Sequence, residues 1–109
     1  TFTRDIVDGL VAAVDQPEAC AGEVFNIGSD EEFKTMDGIR IVEEIVGRKA
    51  RTDDVAGRPG DQIRTSANID KIRRNLGYAP RVSLEEGLRE TVAWFEEQIE
   101  RERQTPTVP

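Results

Sequence analysis

A mainly helical α+β unit is the fold class this chain predicts, and three observations carry the prediction. Apolar residues recur at helical spacing in four segments, one segment (Glu23 to Ile27) alternates with the period of a strand, and glycines and prolines punctuate the joins. A chain of 109 residues, 37% hydrophobic and 34% charged, is sized for one soluble domain with one compact core.

Each element has its own local reason. Thr3 is placed to cap the first helix, and Asp5 lies in its first turn, where a carboxylate suits the helix dipole. Ile6, Leu10 and Val14, with Val7 and Val11 alongside, predict its buried stripe, and Gln16-Pro17 ends it. Pro17 to Gly22 reads as a loop, and Glu23 to Ile27 as a short strand before Gly28-Ser29-Asp30. Thr35 can cap the second helix, whose stripe is Ile39, Val42 and Val46, widened by Ile41 and Ile45 and stopped by Gly47. Lys49 to Val55 has room for a second brief strand, and Ala56 to Ala67 reads as a loop around Gly57, Pro59 and Gly60. Asn68 caps a third helix that turns Ile69, Ile72 and Leu76 inward and stops at Gly77. Ser83-Leu84-Glu85-Glu86 is a capping box, and Leu84, Leu88, Val92, Phe95 and Ile99 continue the last helix.

The expectation is therefore four helices and one or two short strands over residues 1–103, with a frayed tail at 104–109. A two-stranded sheet is marginal alone, so the strands are expected to extend a sheet, or pack on a body, that this chain does not contain.

Composition removes whole classes of chemistry. Without His there is no Ser-His-Asp or Cys-His pair and no His metal ligand. The single Cys20 makes no internal disulfide and no multi-Cys metal site, and an unpaired thiol suits a reducing, cytoplasmic setting. A net charge of −7 repels phosphate backbones, so no nucleic-acid partner is expected. No apolar run approaches the ~20 residues that span a bilayer, so no membrane partner is expected either.

The most informative segment is Gly57-Arg58-Pro59-Gly60-Asp61. Pro-Gly favours a type II turn, which sets Arg58 and Asp61 on the same side. Taken alone, such a turn is either an ordinary surface turn whose Arg and Asp pair, or a site where the Arg forks onto phosphate and the Asp accepts from sugar hydroxyls. Arg64, Lys71, Arg73 and Arg74 either form a local anion patch or the solvated face of the third helix. Cys20 has no basic neighbour in sequence to activate its thiol. The chain has no G-x-G-x-x-G, no P-loop and no Tyr-x-x-x-Lys, since Val82 stands four residues after its only tyrosine, Tyr78.

Read in order, five segments resemble the C-terminal part of NAD-dependent epimerase/dehydratases, the extended short-chain dehydrogenase/reductase family acting on nucleotide-diphosphate sugars. They are Phe2-Thr3-Arg4-Asp5-Ile6-Val7-Asp8-Gly9-Leu10, Val24-Phe25-Asn26-Ile27-Gly28-Ser29, Arg58-Pro59-Gly60-Asp61-Gln62-Ile63-Arg64, Leu76-Gly77-Tyr78-Ala79-Pro80 and Ser83-Leu84-Glu85-Glu86-Gly87-Leu88.

The resemblance implies a small lobe that closes over the nucleotide-sugar, beside a Rossmann domain that binds NAD and carries a Tyr/Lys catalytic pair. This chain resembles the lobe without that domain. Its opening at Thr1, with Met36 as its one Met, fits an expectation that it is cut from something larger. By resemblance, Arg58 touches the diphosphate and Asp61 the ribose; Arg64 adds to the anion site or pairs with a surface carboxylate, and Thr35 and Thr65 line the nucleotide pocket. Asn68 stands where the family often has Asp, and the family's further phosphate-contacting Arg falls upstream of Thr1, which leaves a nucleotide site in this chain half built.

The function implied is the substrate-binding lobe of a UDP-sugar 4-epimerase, not catalytic alone. Its implied partners are the nucleotide-diphosphate sugar and the missing Rossmann domain, which would hold the NAD, and the isolated lobe is expected to self-associate through uncovered apolar surface. The alternatives are the lobe of a nucleotide-sugar decarboxylase or 4,6-dehydratase or, from another class, a stand-alone helical protein-interaction module.

Overall fold

A computed structural model describes residues 1–104. Five helices follow one another: α1 (Thr3–Asp15), α2 (Pro17–Cys20), α3 (Thr35–Val46), α4 (Asp70–Leu76) and α5 (Leu84–Gln104). The chain divides into two compact units, each made of two separate stretches. The first comprises Thr1–Phe33 and Asp53–Val82; the second comprises Lys34–Thr52 and the chain from Ser83 onward.

The core of the first unit lies on α4 and just beyond it. Ile69, Ile72, Leu76 and Tyr78 are buried, and Ala12, Ala13, Ala19, Cys20, Phe25, Ile27 and Ala67 pack around them. Ile72 and Leu76 of α4, and Ile69 at its N-cap, were legible from their spacing; Tyr78 joins them by donating its hydroxyl to the Gly28 carbonyl at 2.9 Å. Lys71 Nζ donates to the Val24 carbonyl at 2.9 Å, pairs with Glu23 at 2.6 Å and sits 5.0 Å over the Phe25 ring. Arg73 pairs with Asp30 at 2.9 Å. The basic face of α4 is thus not simply solvated: two of its cations fasten the 23–30 segment to the helix.

These contacts explain a correction. Among the described residues there is no strand, neither at 23–27 nor at 49–55. A strand needs a neighbour to complete its ladder, and here the Val24 and Gly28 carbonyls accept from the side chains of Lys71 and Tyr78. A second correction concerns Pro17 to Gly22, where α2 forms one helical turn with Pro17 in the first turn, a position that wastes no donor.

α1 packs by the face opposite to the expected one. Its buried residues are Asp5 and Gly9, while Val7, Leu10, Val11 and Val14 are 48%, 54%, 52% and 77% exposed. The reason is close approach: a Cβ on Gly9 would lie 3.0 Å from Ile27 Cγ2 and 3.3 Å from Tyr78 Cδ2, so the helix backbone nearly touches the core. Asp5, 2% exposed, completes this face by accepting the backbone N–H groups of Arg81 at 2.9 Å and Val82 at 3.3 Å. At about 100° per residue the Val7–Val14 stripe lies roughly opposite Asp5, Gly9 and Ala12.

In the second unit α3 packs against α5. Ile39, Val42, Leu84, Leu88 and Val92 are half-buried, but Val46, Phe95 and Ile99 are exposed, contrary to the expected stripes. Length accounts for the last two: α5 has 21 residues against 12 in α3, so about 13 Å of α5 has no α3 beside it. Trp94 and Phe95 stack edge to face on this overhang, with centroids 4.9 Å apart.

The caps are shifted by a residue. Phe2 and Lys34 occupy the N-cap positions of α1 and α3, so Thr3 and Thr35 are first helical residues without capping bonds. Ser83 Oγ accepts from Glu86 N–H at 3.2 Å, as its sequence predicted, whereas Ile69 takes the N-cap position of α4 expected of Asn68, whose Oδ1 accepts from Asp70 N–H at 3.0 Å from one residue further out. Gly47 and Gly77 end α3 and α4 in the left-handed region. The expected tail begins inside α5, which runs to Gln104; residues 105–109 lie outside the described residues.

Candidate functional site

Thr35 apart, the site predicted from sequence lies between Arg58 and Thr65 in the first unit, within a stretch, 53–66, of which every residue is exposed. Its sharpest feature is the turn at Arg58. Asp61 N–H donates to the Arg58 carbonyl at 3.1 Å, and Gly60 has φ +91°, a conformation that glycine tolerates and that position three of a type II turn demands. Asp61 Oδ2 then accepts the Arg58 backbone N–H at 2.8 Å.

The two residues therefore close the turn on each other, but not as an ion pair. Asp61 spends one carboxylate oxygen on a main-chain donor. Among the described residues the Arg58 guanidinium and the other Asp61 oxygen make no hydrogen bond. An exposed guanidinium and a free carboxylate oxygen carried by one turn are chemistry suited to an anion with a neighbouring hydroxyl group.

Arg64 is placed differently. Its Nε donates to both oxygens of Glu32, at 2.7 and 2.9 Å, and this hydrogen-bonded carboxylate raises the guanidinium pKa above its ordinary value. Thr65 is exposed and makes no hydrogen bond among the described residues. Thr35 opens α3 in the second unit. The structure thus brings Arg58 and Asp61 together, joins Arg64 to a residue the sequence had not singled out, and leaves Thr65 without a partner. Glu32 stands 32 positions from Arg64 in an acidic Asp30-Glu31-Glu32 run, and nothing local to either residue signals the pairing.

The segment carrying Glu32 is itself fixed. Asp30 is held by Arg73, whose hydrogen bond lowers the Asp30 pKa and raises that of Arg73. Glu31 N–H donates to Ser29 Oγ at 3.1 Å. Among the described residues no group of three or more His, Cys, Asp or Glu is gathered to hold a metal ion, and no helix is long and apolar enough to cross a membrane.

No family model matches the chain. It is 35% identical over 107 residues to UDP-glucuronate 4-epimerase 4 of Arabidopsis thaliana, covering 87% of this chain and 24% of that protein. Over 86 residues it is 37% identical to dTDP-glucose 4,6-dehydratase of Escherichia coli, covering 72% and 24%. The UDP-glucuronic acid 4-epimerase of Bacillus cereus, solved in complex with UDP-glucuronic acid and NAD, matches 90% of this chain with a TM-score of 0.83 and 34% identity. The chain belongs to the NAD-dependent epimerase/dehydratase family.

Membership covers part of the family's length. The chain spans a quarter to a third of the length of the curated relatives it matches, from 24% to 33%, and 31% of the Bacillus cereus enzyme. A second solved structure, that of the Bordetella bronchiseptica enzyme WbmF in complex with NADH, matches 92% of the chain with a TM-score of 0.64 and 32% identity. The small helical lobe expected by resemblance fits these neighbours, with the strands removed from the description.

Proposed function

We propose that this chain is the nucleotide-sugar-binding, C-terminal lobe of an NAD-dependent epimerase of the UDP-sugar 4-epimerase type, working in the cytoplasm with a Rossmann domain. The observation that carries this reading is the likeness, over 90% of the chain, to an epimerase solved with UDP-glucuronic acid and NAD. NAD, held by the larger domain, would supply the hydride acceptor and donor. The residues of this chain would bind and orient the substrate, which lowers the barrier by fixing the sugar where the chemistry occurs.

In that role Arg58 donates its unpartnered guanidinium to the diphosphate. Asp61, with one oxygen committed to the turn, offers the other to a ribose hydroxyl. Arg64 adds positive charge to the same anion site, and Thr35 and Thr65 line the nucleotide pocket. The Val7, Leu10, Val11 and Val14 stripe supports the presence of a larger partner domain, because four apolar side chains on one helix face gain by being covered. Left uncovered in the isolated lobe, the same stripe would drive self-association.

The test uses the whole native gene product, whose mass is measured first. With NAD and UDP-glucuronic acid, an epimerase yields the 4-epimer without loss of carbon and a decarboxylase releases carbon dioxide; a 4,6-dehydratase needs a sugar with a C6 hydroxyl to expel as water, so it is tested separately with dTDP-glucose and NAD. Arg58→Ala should raise KM by about 10- to 100-fold, the scale of a lost charge-assisted hydrogen bond. An Arg58→Ala enzyme with unchanged KM and kcat removes Arg58 from the site. A gene product of this length that binds no nucleotide supports the stand-alone interaction module instead.

A further inference from the structure

Residues 53–66 are exposed throughout, yet one side-chain bond ties them to the 29–33 segment: Arg64 Nε to both oxygens of Glu32. The geometry of that bond is lopsided. The carboxylate takes the Nε edge of the guanidinium, and among the described residues the two terminal amino groups have no partner. A guanidinium held this way keeps donors for a second anion while losing the freedom to swing away from it. Glu32 can act as such an anchor because its own segment is fastened by Asp30 to Arg73 on α4 and by the Ser29–Glu31 turn.

We propose that Glu32 is the positioning residue for Arg64: it holds the guanidinium by Nε so that the terminal amino groups can grip the diphosphate of a nucleoside diphosphate. This rests on the reading of residues 58–65 as the nucleotide-sugar site and adds a residue to it. An exposed ion pair of this kind contributes little to folding, so its consequence falls on the ligand. Losing Glu32 leaves Arg64 charged and present but free among many rotamers, and binding then has to order it again.

The experiment is calorimetric titration of UDP, and separately dTDP, into the whole gene product and four variants: Arg58→Ala, Arg64→Ala, Glu32→Gln, and the Glu32→Gln/Arg64→Ala double. Arg64→Ala should weaken nucleotide binding by about 10-fold and Glu32→Gln by about 3- to 5-fold. The double variant should be no weaker than Arg64→Ala alone, because Glu32 acts through Arg64. The melting temperature of Glu32→Gln should match that of the unmodified protein.

If Glu32→Gln binds normally, or the two losses multiply, while Arg58→Ala still weakens binding, the positioning role is overturned and the site reading stands. A Glu32→Gln protein that binds weakly and melts lower in proportion also overturns it, in favour of a structural role. If Arg58→Ala is without effect too, or the unmodified protein binds neither nucleotide, the site reading falls and the role of Glu32 falls with it.

Discussion

Replacing Asp5 by alanine should cost the first unit about 3–4 kcal/mol. Asp5 is 2% exposed, and its carboxylate accepts two backbone N–H groups, Arg81 at 2.9 Å and Val82 at 3.3 Å. Hydrogen bonds to a charged acceptor contribute about 1.5–3 kcal/mol each, and the longer bond belongs at the low end. Alanine would also leave both donors facing a cavity too apolar to replace the lost partner. Against a domain stability of about 5–15 kcal/mol such a loss is large without being fatal at the upper end of that range. Asp5→Asn keeps the volume but sets an amide N–H₂ against one of the donors, so its cost should be intermediate. Urea unfolding followed by circular dichroism measures the global loss, and hydrogen exchange at the Arg81 and Val82 amides reads the local one. If both amides in Asp5→Ala stay as protected as in the unmodified protein and the midpoint is unmoved, the anchoring role is refuted.

Three further outcomes follow from the same contacts. Gly9→Ala gains up to about 1 kcal/mol of helix propensity but forces a Cβ to 3.0 Å from Ile27, where overpacking costs about 1–3 kcal/mol, so net destabilisation is expected; an alanine variant with a raised urea midpoint would falsify this. Burial, and then the charges of Asp5 and Asp8, raise the pKa of Tyr78 above 10.0, so the stability it contributes is present below pH 10 and lost as pH rises through the raised value. Because the chain has one tyrosine, its near-ultraviolet absorbance reports this titration directly, and a midpoint at or below 10.0 would contradict the burial argument. Glu43 accepts Lys49 Nζ at 2.7 Å and Ala50 N–H at 2.8 Å, and these bonds lower its pKa below 4.5; their contribution is present above that pH and lost as pH falls through the lowered value, which carboxyl-detected NMR can follow.

What was legible from the sequence was local. The Ser83 cap, the Gly47 and Gly77 stops and the Pro59-Gly60 turn each depend on residues within four positions of one another, and each stands in the structure. The inward residues of α4 were legible because one short helix carries most of the first unit's core. α1 was misread because periodicity reveals an apolar face without saying what covers it. Gly9, Ala12 and Ala13 look neutral in sequence, yet their small size is what admits Ile27 and Tyr78. Asp5 suited the helix dipole and gave no sign of partners 76 and 77 positions away. The candidate site divided along the same line: the Arg58–Asp61 turn could be anticipated, whereas Glu32 and Arg64 meet only through the fold.

The interleaving of the two units also sets an order of assembly. The small face of α1 and the 25–28 segment have nothing to close upon until Ile69, Ile72, Leu76 and Tyr78 have been made. At a synthesis rate of ~5–20 residues per second, the stretch from Ile27 to Ile69 takes roughly 2–8 s, long compared with any helix–coil step. α3, within the same interval, waits for α5. Closing contacts over about forty residues is entropically slow, so during that delay both emerging halves hold their apolar faces open to water. Chaperone binding to the nascent chain should therefore peak before residue 82 leaves the ribosome and fall once Tyr78 has found Gly28.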